Sequence, residues 1–380
     1  MKQKILYFVP DCPVAGAAGN ITRFKQMLFY FNEMQNAEVD FISLSDWGDW
    51  FPENIQKFKK IFPNINLILL ERKNDKRNFL LHWLFYKIPN FIPKLLRGIS
   101  VDISNPFLNK RFAKIINAKK YDKIIISYAS WGNLIKNIKY KTHLILDTHD
   151  FITGQKRNKR DKIGKFFQSE MQILNNFDEI WTYSVEEEYI FGQFTDKKIT
   201  LIPISFPYNE TQIKDKYLYD VIFVGSNNPH NITGIQWFAK EVIPYLSGIK
   251  VHIIGKVCTE IPDHPNFVKH GLVDSLEEIY HNAKVVICPM LSGTGVKIKV
   301  LEALSYALPV ITHRRGIDGL INKTENGCIV CDDGKQFAEV INKLLNDNKL
   351  YRSKKDESKK YFLQNHTPEK EQEILNTIFK

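Results

Sequence analysis

The amino-acid sequence predicts an α/β protein with two Rossmann-like domains, each a parallel sheet with helices between its strands. Two series of short apolar segments support this fold, because helix-like periodic stretches separate most of the segments. The series begin at 5–9 and 221–224, and the break at 203–220 contains two prolines and a polar cluster. A chain of 380 residues with 44% hydrophobic content is long enough for two packed cores.

The boundaries follow from the position of these segments. We predict an N-terminal domain over 1–203, a linker over 204–220 and a C-terminal domain over 221–354, followed by a helix over 355–380. The predicted strands of the first domain are 5–9, 39–44, 65–70, 124–127, 144–148, 180–184 and 199–203, and those of the second are 221–224, 251–254, 267–270, 285–288, 310–312 and 328–330.

The cysteines indicate neither a disulfide framework nor a metal site. Five cysteines are scattered along the chain, and only Cys328 and Cys331 form a C-x-x-C, without a second pair. The surrounding GCIVCDDG predicts a short strand that ends in a turn. Reduced thiols fit a cytoplasmic protein, and we expect no bound metal.

The net charge of +11 and a pI near 9.1 favour acidic partners: nucleic acid, anionic lipid headgroups or phosphorylated substrates. No nucleic-acid-binding motif accompanies the charge, so we expect no nucleic-acid partner. No apolar run reaches the roughly 18 to 20 residues that span a bilayer, and the first apolar run is too short for a signal peptide.

Segment 71–100 interleaves cations with large apolar side chains, as interfacial segments do. It predicts peripheral contact with the inner face of an anionic membrane, although the same apolar residues could instead pack on the N-terminal sheet. Pro89 and Pro93 break it into short pieces. Its cations are Arg72, Lys73, Lys76, Arg77, Lys87, Lys94 and Arg97, and its aromatic residues are Phe79, Trp83, Phe85, Tyr86 and Phe91.

Residues 293–310, GTGVKIKVLEALSYALPV, contain the residue types of a nucleotide-sugar site. Gly293 and Gly295 let backbone amides approach a ligand, Lys297 and Lys299 supply positive charge, and Glu302 can accept two hydrogen bonds from a diol such as ribose. We predict a helix that starts near Lys297, with its N-terminus at the strand ends. The alternative interpretation of these residues is an ordinary loop at the glycines, followed by a helix whose lysines face solvent.

The motifs VVICP, SGTG, KVLEAL and PVIT, in this order, resemble the C-terminal domain of GT-B retaining glycosyltransferases of the group 1, family 4-like type. The resemblance extends upstream to 221–244, 251–256 and 270–289. It implies two Rossmann-like domains facing a central cleft, with the nucleotide-sugar donor on the C-terminal domain and the acceptor on the N-terminal domain. It also implies that the C-terminal helix over 355–380 packs back on the N-terminal domain.

The resemblance also implies roles for individual residues. Glu302 would hold the ribose hydroxyls, and the loop of Gly293, Thr294, Gly295 and Val296 would approach the diphosphate or the sugar. Two departures stand out: many relatives have a carboxylate where this chain has Thr294, and an Arg/Lys pair where it has SNNPHNITG, which begins at the candidate Ser226. We therefore expect Lys297 or Lys299 to supply charge to the phosphates.

Candidate residues in the N-terminal half follow strand ends. His149 lies where relatives place a histidine that contacts the donor sugar, and Asp150 could orient it, bind an acceptor hydroxyl or cap the next turn. A satisfied structural histidine is the alternative. The acceptor-side candidates are Gly16, Gly19, Lys156 and Arg157, whose alternative readings are turn formation for the glycines and a solvated loop for the cations.

The resemblance implies glycosyl transfer from a nucleotide-diphosphate sugar, with retention, without a metal and with no cofactor beyond this co-substrate. His149, Asp150 and Lys299 are the candidate catalytic residues. The expected acceptor is a saccharide or lipid-linked saccharide of lipopolysaccharide, capsule or protein-glycan assembly. A nucleotide-sugar epimerase of the same fold and a noncatalytic partner subunit are the alternatives.

Overall fold

The computed structural model describes residues 2–16, 19–73, 79–91, 98–156 and 158–380. The chain forms two compact units: unit 1 comprises Met1–Thr182 and Glu187–Leu201, and unit 2 comprises Tyr183–Glu186 and Ile202–Lys380. The predicted linker and the predicted C-terminal helix both belong to unit 2. Each unit contains one parallel sheet, which confirms the predicted two-domain α/β fold.

Unit 1 has a seven-stranded sheet of order β3-β2-β1-β4-β5-β6-β7. The sheet core is almost wholly apolar, and Ile5, Leu6, Phe8 and Ile124 are fully buried. Strands covered by helices on both faces read as continuous apolar runs, which is why the sequence located them. The strands are β1 Gln3–Phe8, β2 Ala37–Leu44, β3 Ile65–Leu70, β4 Lys123–Ser127, β5 His143–Asp147, β6 Glu179–Thr182 and β7 Lys198–Leu201.

The helices of unit 1 begin after strands or short loops. In α4, Asn105 caps the first turn by accepting from the Leu108 amide, and Pro106 occupies the first turn, where its missing N–H costs nothing. The helices are α1 Gly19–Glu33, α2 Pro52–Ile61, α3 Phe79–His82, which a π-helical turn Trp83–Lys87 extends, α4 Pro106–Ala118, α5 Ile152–Gln155, α6 Ile163–Leu174 and α7 Val185–Gly192.

Unit 2 has a six-stranded sheet of order β10-β9-β8-β11-β12-β13, again all parallel. The strand order reverses between β8 and β11, and ligands of such sheets bind outside the strand ends at this point. The elements are β8 Tyr219–Val224, α8 Pro229–Glu241, β9 Val251–Ile254, β10 Phe267–Gly271, α9 Leu276–His281, β11 Ala283–Cys288, α10 Ile298–Ser305, β12 Val310–Thr312, β13 Cys328–Val330, α11 Gly334–Asn346, α12 Asn348–Asn365 and α13 Pro368–Ile378.

The C-terminal residues form two helices, α12 and α13, instead of one. Their junction contacts the start of the predicted linker, since the Phe206 amide donates to the His366 carbonyl and the His366 ring lies 2.9 Å from the Ile204 carbonyl oxygen. The predicted packing of this segment on the N-terminal domain stays a prediction. Within the described ranges, no helix is both long and apolar enough to cross a membrane.

Gly234 sets how closely α8 approaches the end of β11. A Cβ atom at this position would lie 2.5 Å from the Pro289 carbonyl oxygen, a backbone atom that a side-chain rotation cannot move away. The helix that follows β8 is thereby seated next to the loop that follows β11. This contact brings together the segments that follow β8 and β11, at the switch point where the strand order of the sheet reverses.

Gly234→Ala is expected to lower the free energy of unfolding of unit 2 by about 1 to 3 kcal/mol, because α8 must shift to relieve the overlap. Denaturant unfolding of the purified chain measures the change. Gly164→Ala is the matched control, because a Cβ atom added at Gly164 would have no neighbouring atom within 4 Å. Equal stability of Gly234→Ala and the parent chain would show that α8 tolerates the methyl group.

Candidate functional site

The loop that follows β11, residues 291–297, is named here the donor loop. Gly293 has φ 106° and Gly295 has φ 68°, values in the left-handed region that glycine adopts without strain. Lys297 is the residue before the first turn of α10, which begins at Ile298. The predicted glycine turn and the predicted helix start are confirmed.

Lys297 folds back onto the donor loop. Its Nζ donates to the Gly295 carbonyl at 2.7 Å and lies 3.4 Å from the Thr294 carbonyl oxygen. Burial lowers the pKa of this buried lysine, and the nearby Asp318 carboxylate opposes that shift. Lys297 therefore braces the carbonyl side of the loop.

Lys299 points to α8. Its Nζ donates to Asn231 Oδ1 at 2.6 Å and lies 4.3 Å from the centroid of the Phe223 ring. Burial lowers the pKa of Lys299 to about 8, although the Glu302 carboxylate favours the charged form. This lysine is thus a cation at neutral pH, beside the start of α8.

Glu302 follows Lys299 on α10 by three residues, which places both on one side of the helix. The Tyr280 hydroxyl donates to Glu302 Oε2 at 3.1 Å. Burial raises the pKa of Glu302 to about 6, while the hydrogen bond from Tyr280 and the charge of Lys299 lower it. At neutral pH the group is a carboxylate, the form that accepts two hydrogen bonds from a diol.

The SNNPHNITG segment, residues 226–234, spans the end of the loop after β8 and the first turns of α8. Asn228 caps the helix by accepting from the Asn231 amide, and Asn231 Nδ2 donates to the Ser226 carbonyl at 2.9 Å. His230 Nδ1 lies 2.7 Å from Ser292 Oγ. The start of α8 therefore contacts the donor loop through His230 and Lys299 through Asn231.

The sequence interpretation missed His230, Asn231 and Tyr280. An N-cap asparagine followed by proline in Asn228-Pro229 was available as a helix-start signal. No signal of comparable kind marks Tyr280, because its contact with Glu302 joins two separate helices.

In unit 1, a buried polar cluster lies at the carboxyl ends of β4 and β5. Asp147 Oδ2 accepts from Tyr7 at 3.2 Å and from Ser127 at 3.1 Å. His149 Nε2 lies 2.9 Å from the same oxygen, so an N–H of the ring donates to the carboxylate. Asp147 thereby fixes the orientation of the His149 ring.

The backbone at this cluster is strained. Tyr128 and His149 have φ of 66° and 58°, in the region that side chains with a Cβ avoid. Their rings lie 4.6 Å apart between centroids, and Phe24 contacts His149 from another direction at 4.8 Å. Strain of this kind is retained where a side chain must be aimed, which favours a functional His149.

Two carboxylates hold the chain that follows His149. Glu170 accepts from the Ile152 and Thr153 amides at 2.9 and 2.8 Å, and Glu187 accepts from the Phe151 amide at 3.1 Å. Both carboxylates therefore have a structural role, at the start of α5. Asp150 lies between the strained His149 and these capped amides, and its charge contributes to the raised pKa of Tyr128, whose main cause is burial.

The acceptor-side candidates that the structure describes lie at a turn or at a helix end. Gly16 has φ 79°, and a Cβ atom added there would have no neighbouring atom within 4 Å. Gly19 is the first residue of α1. Lys156 is half-buried at the end of α5. Arg157 lies outside the described residues.

The cysteines are free, and Cys328–Val330 is the predicted short strand. Among the residues that the structure describes, no group of three or more His, Cys, Asp and Glu side chains could hold a metal ion.

Comparison with known proteins adds a family match to this geometry. Residues 219–347 match the model of the family described as Glycosyl transferases group 1. A Klebsiella pneumoniae protein described as an uncharacterized 44.6 kDa protein in the cps region is 24% identical over 265 residues, which covers 61% of this chain and 67% of that protein. The match to the family model contains β8 through α11, with the donor loop.

Solved structures share the fold over nearly the whole chain. Sucrose-phosphate synthase from Thermosynechococcus elongatus is 14% identical with a TM-score of 0.71, covering 100% of this chain and 98% of that one. Anabaena HepE in complex with UDP and glucose is 12% identical with a TM-score of 0.67, covering 99% of each chain. A mutant of S. aureus TarM in complex with fondaparinux, α-GlcNAc-glycerol and UDP is 14% identical with a TM-score of 0.68, covering 100% of each chain.

Two parallel-sheet Rossmann-like units, together with the likeness to these structures, define the GT-B fold. Within that fold, the chain is similar to the glycosyl transferases of group 1 over residues 219–347.

Glu302→Gln is expected to raise the free energy of unfolding at pH 7 by up to about 2 kcal/mol. The pKa of Glu302 is raised from 4.5 to about 6, so the folded state binds this proton more tightly than the unfolded state. The proton therefore stabilises the fold below pH 4.5, and this stabilisation is lost as the pH rises through 6. Denaturant unfolding at a series of pH values measures the difference.

The gain from Glu302→Gln is expected to vanish below pH 4.5, where both side chains are neutral. Glu339→Gln on the exposed side of α11 is the control and should leave stability unchanged at every pH. A Glu302→Gln variant that is less stable than the parent at pH 7 would contradict the burial argument.

Proposed function

We propose that the chain transfers a sugar from a nucleoside-diphosphate sugar to a saccharide acceptor, with retention of anomeric configuration and without a metal. The observation that carries the proposal is the cluster at the unit 2 switch point, where the donor loop, Lys299 and Glu302 meet the start of α8. Two helix N-termini and a lysine suit a diphosphate, and a carboxylate suits a ribose diol.

The donor chemistry has support from the solved structures. Complexes of HepE contain UDP, UDP with glucose, or UDP-glucose, and the TarM complex contains UDP. In this chain Glu302 would receive the ribose hydroxyls, while the amides of Thr294, Gly295 and Val296 approach the diphosphate or the sugar. Ser226, at the end of β8, completes the proposed nucleotide-binding set.

Lys299 would take over the role of the basic pair that relatives carry after their first strand. Its Nζ donates to Asn231, inside the segment where that pair is missing, so the charge of Lys299 lies beside that segment. Charge that develops on the departing diphosphate is stabilised best by a cation already held in place. Lys297, tied to the loop carbonyls, would fix the loop instead.

For unit 1, we assign His149 to position the donor sugar, because Asp147 and the strained backbone hold its ring in one orientation. Asp150 would accept a hydrogen bond from the acceptor or keep His149 oriented. Retention follows from front-face attack, in which the leaving phosphate oxygen takes the acceptor proton. Gly16, Gly19, Lys156 and Arg157 are the proposed acceptor-side residues.

The proposed acceptor is a lipid-linked glycan of capsule, lipopolysaccharide or protein-glycan assembly, on the cytoplasmic side of the membrane. The relative from the Klebsiella cps region favours capsule among these. The TarM complex contains fondaparinux and α-GlcNAc-glycerol together with UDP, which supports a saccharide acceptor.

Two alternatives differ in what they consume. An epimerase of this fold would convert the donor without an acceptor. A noncatalytic partner subunit would bind no nucleotide sugar, and Thr294 in place of a carboxylate is the feature that favours it.

A thermal-shift screen against UDP-, GDP-, dTDP- and CMP-sugars is expected to find one donor class that raises the melting temperature, because a ligand that binds only the folded state stabilises it. Glu302→Ala should lose the shift through loss of the ribose contact, whereas Glu339→Ala should keep it. The identified donor is then incubated with and without acceptor, and the anomeric configuration of the product is read by NMR.

Donor consumption in the absence of acceptor would indicate an epimerase, and an inverted product would contradict retention. No shift with any donor, in a chain that unfolds cooperatively, would favour the partner-subunit reading.

The affinity for the donor is expected to be greatest between pH 6 and 8. Above pH 8 Lys299 loses its proton, and with it the positive charge that attracts the diphosphate. Below pH 6 Glu302 gains a proton and accepts hydrogen bonds from the diol less well. Isothermal titration calorimetry across this pH range measures the profile. Lys299→Arg should move the pH above which the donor affinity falls to a higher value, because a guanidinium group stays charged. If that pH is unchanged in the variant, a group other than Lys299 causes the loss of affinity.

A further inference from the structure

Residues 79–91, named here the exposed helix, expose large apolar side chains that unit 1 does not cover. The exposed fractions are 74% for Phe79, 70% for Leu80, 52% for Leu84 and 64% for Phe91. Trp83 and Ile88 are exposed as well. Single exposed apolar residues are ordinary, but six within thirteen residues form a patch that indicates an interaction surface.

The exposed helix is one-sided. Leu80, Leu84 and Ile88 recur every four residues and therefore lie along one side, with Phe91 three residues further. His82, which is 6% exposed, lies on the other side of the helix. The apolar side is consequently the solvent-exposed side of the helix.

The chain on either side of this region is tied to unit 1. The Arg72 and Lys73 amides donate to the two carboxylate oxygens of Asp46 at 2.7 and 3.1 Å. After it, the Val101 amide donates to Ser169 Oγ at 3.3 Å. The exposed helix is thus an insertion between two anchored points, and not a free end.

The charge of the chain selects the partner. Residues 1–201 contain 31 lysines and arginines and 21 acidic residues, so they hold a net +10 of the total +11. Within 71–100 the sequence has seven cations and two acidic residues. Lys87 lies in the exposed helix itself and is exposed.

We propose that the exposed helix docks unit 1 on an anionic lipid bilayer. Phenylalanine, tryptophan and leucine enter the region between headgroups and acyl chains, while Lys87 reaches back to the headgroups along its own apolar stem. Basic residues near an anionic surface add an electrostatic attraction that salt screens. The docking surface belongs to unit 1 and the candidate donor residues belong to unit 2, so the proposal stands whatever sugar is transferred. Docking would bring unit 1 to a lipid-linked acceptor.

The experiment is co-sedimentation of the full chain with vesicles of phosphatidylcholine alone or with one-third phosphatidylglycerol. The chain is expected to bind the anionic vesicles at low salt and to lose most of that binding at high salt. The triple variant Phe79→Ser, Leu80→Ser, Phe91→Ser should bind at least about tenfold more weakly at both salt concentrations, because it lacks the apolar contribution. Lys87→Glu should weaken binding to the anionic vesicles and should leave any binding to the phosphatidylcholine vesicles unchanged.

A matched triple variant in unit 2, Leu218→Ser, Tyr245→Ser, Leu272→Ser, removes three comparably exposed apolar residues and should bind as the parent does. Cooperative denaturant unfolding of every variant with the midpoint of the parent shows that the variants are folded. The proposal is overturned if the parent does not bind anionic vesicles, if the unit 1 triple variant binds as the parent does, or if light scattering shows a dimer that this variant disperses, which would make a second copy the occupant.

Discussion

Burial of opposite charges on α10 is the constraint on which the candidate donor site depends. Lys299 and Glu302 lie on a helix of eight residues that connects β11 to β12, and both side chains are buried where charged forms are poorly solvated. Burial therefore moves the two pKa values toward each other, to about 8 and about 6. Both groups remain charged near pH 7, in a narrow range, and each has one specific polar partner.

Those partners are what make the charges usable. Asn231 accepts a hydrogen bond from Lys299, and Tyr280 donates a hydrogen bond to Glu302. Because each charged group has a polar partner, both side chains stay charged at pH 7. A site assembled in this way is less stable than an apolar one would be, and proteins keep such sites where binding requires them. The same logic applies to Asp147, which gathers Tyr7, Ser127 and His149.

The close approach of backbone segments at two glycines is the second constraint on the candidate donor site. Gly234 admits the Pro289 carbonyl, and Gly319, at φ 87°, admits the backbone of Val296 in the donor loop. Both contacts hold polar backbone next to the loop without an intervening side chain. In unit 1 the equivalent precision comes from strain at Tyr128 and His149, which the packing of their rings maintains.

The sequence by itself determined the two parallel sheets, the helix start at Lys297 and the glycine turn, because buried parallel strands read as continuous apolar runs and helix starts have local signals. It also named Glu302 and Lys299 as residues of one site. Tertiary structure alone decided the strand order, the two-helix C-terminus within unit 2, and the partners Tyr280, His230 and Asn231. Lys299 and Asn231 are 68 residues apart, and contacts between such distant residues depend on how elements pack, which no local pattern encodes.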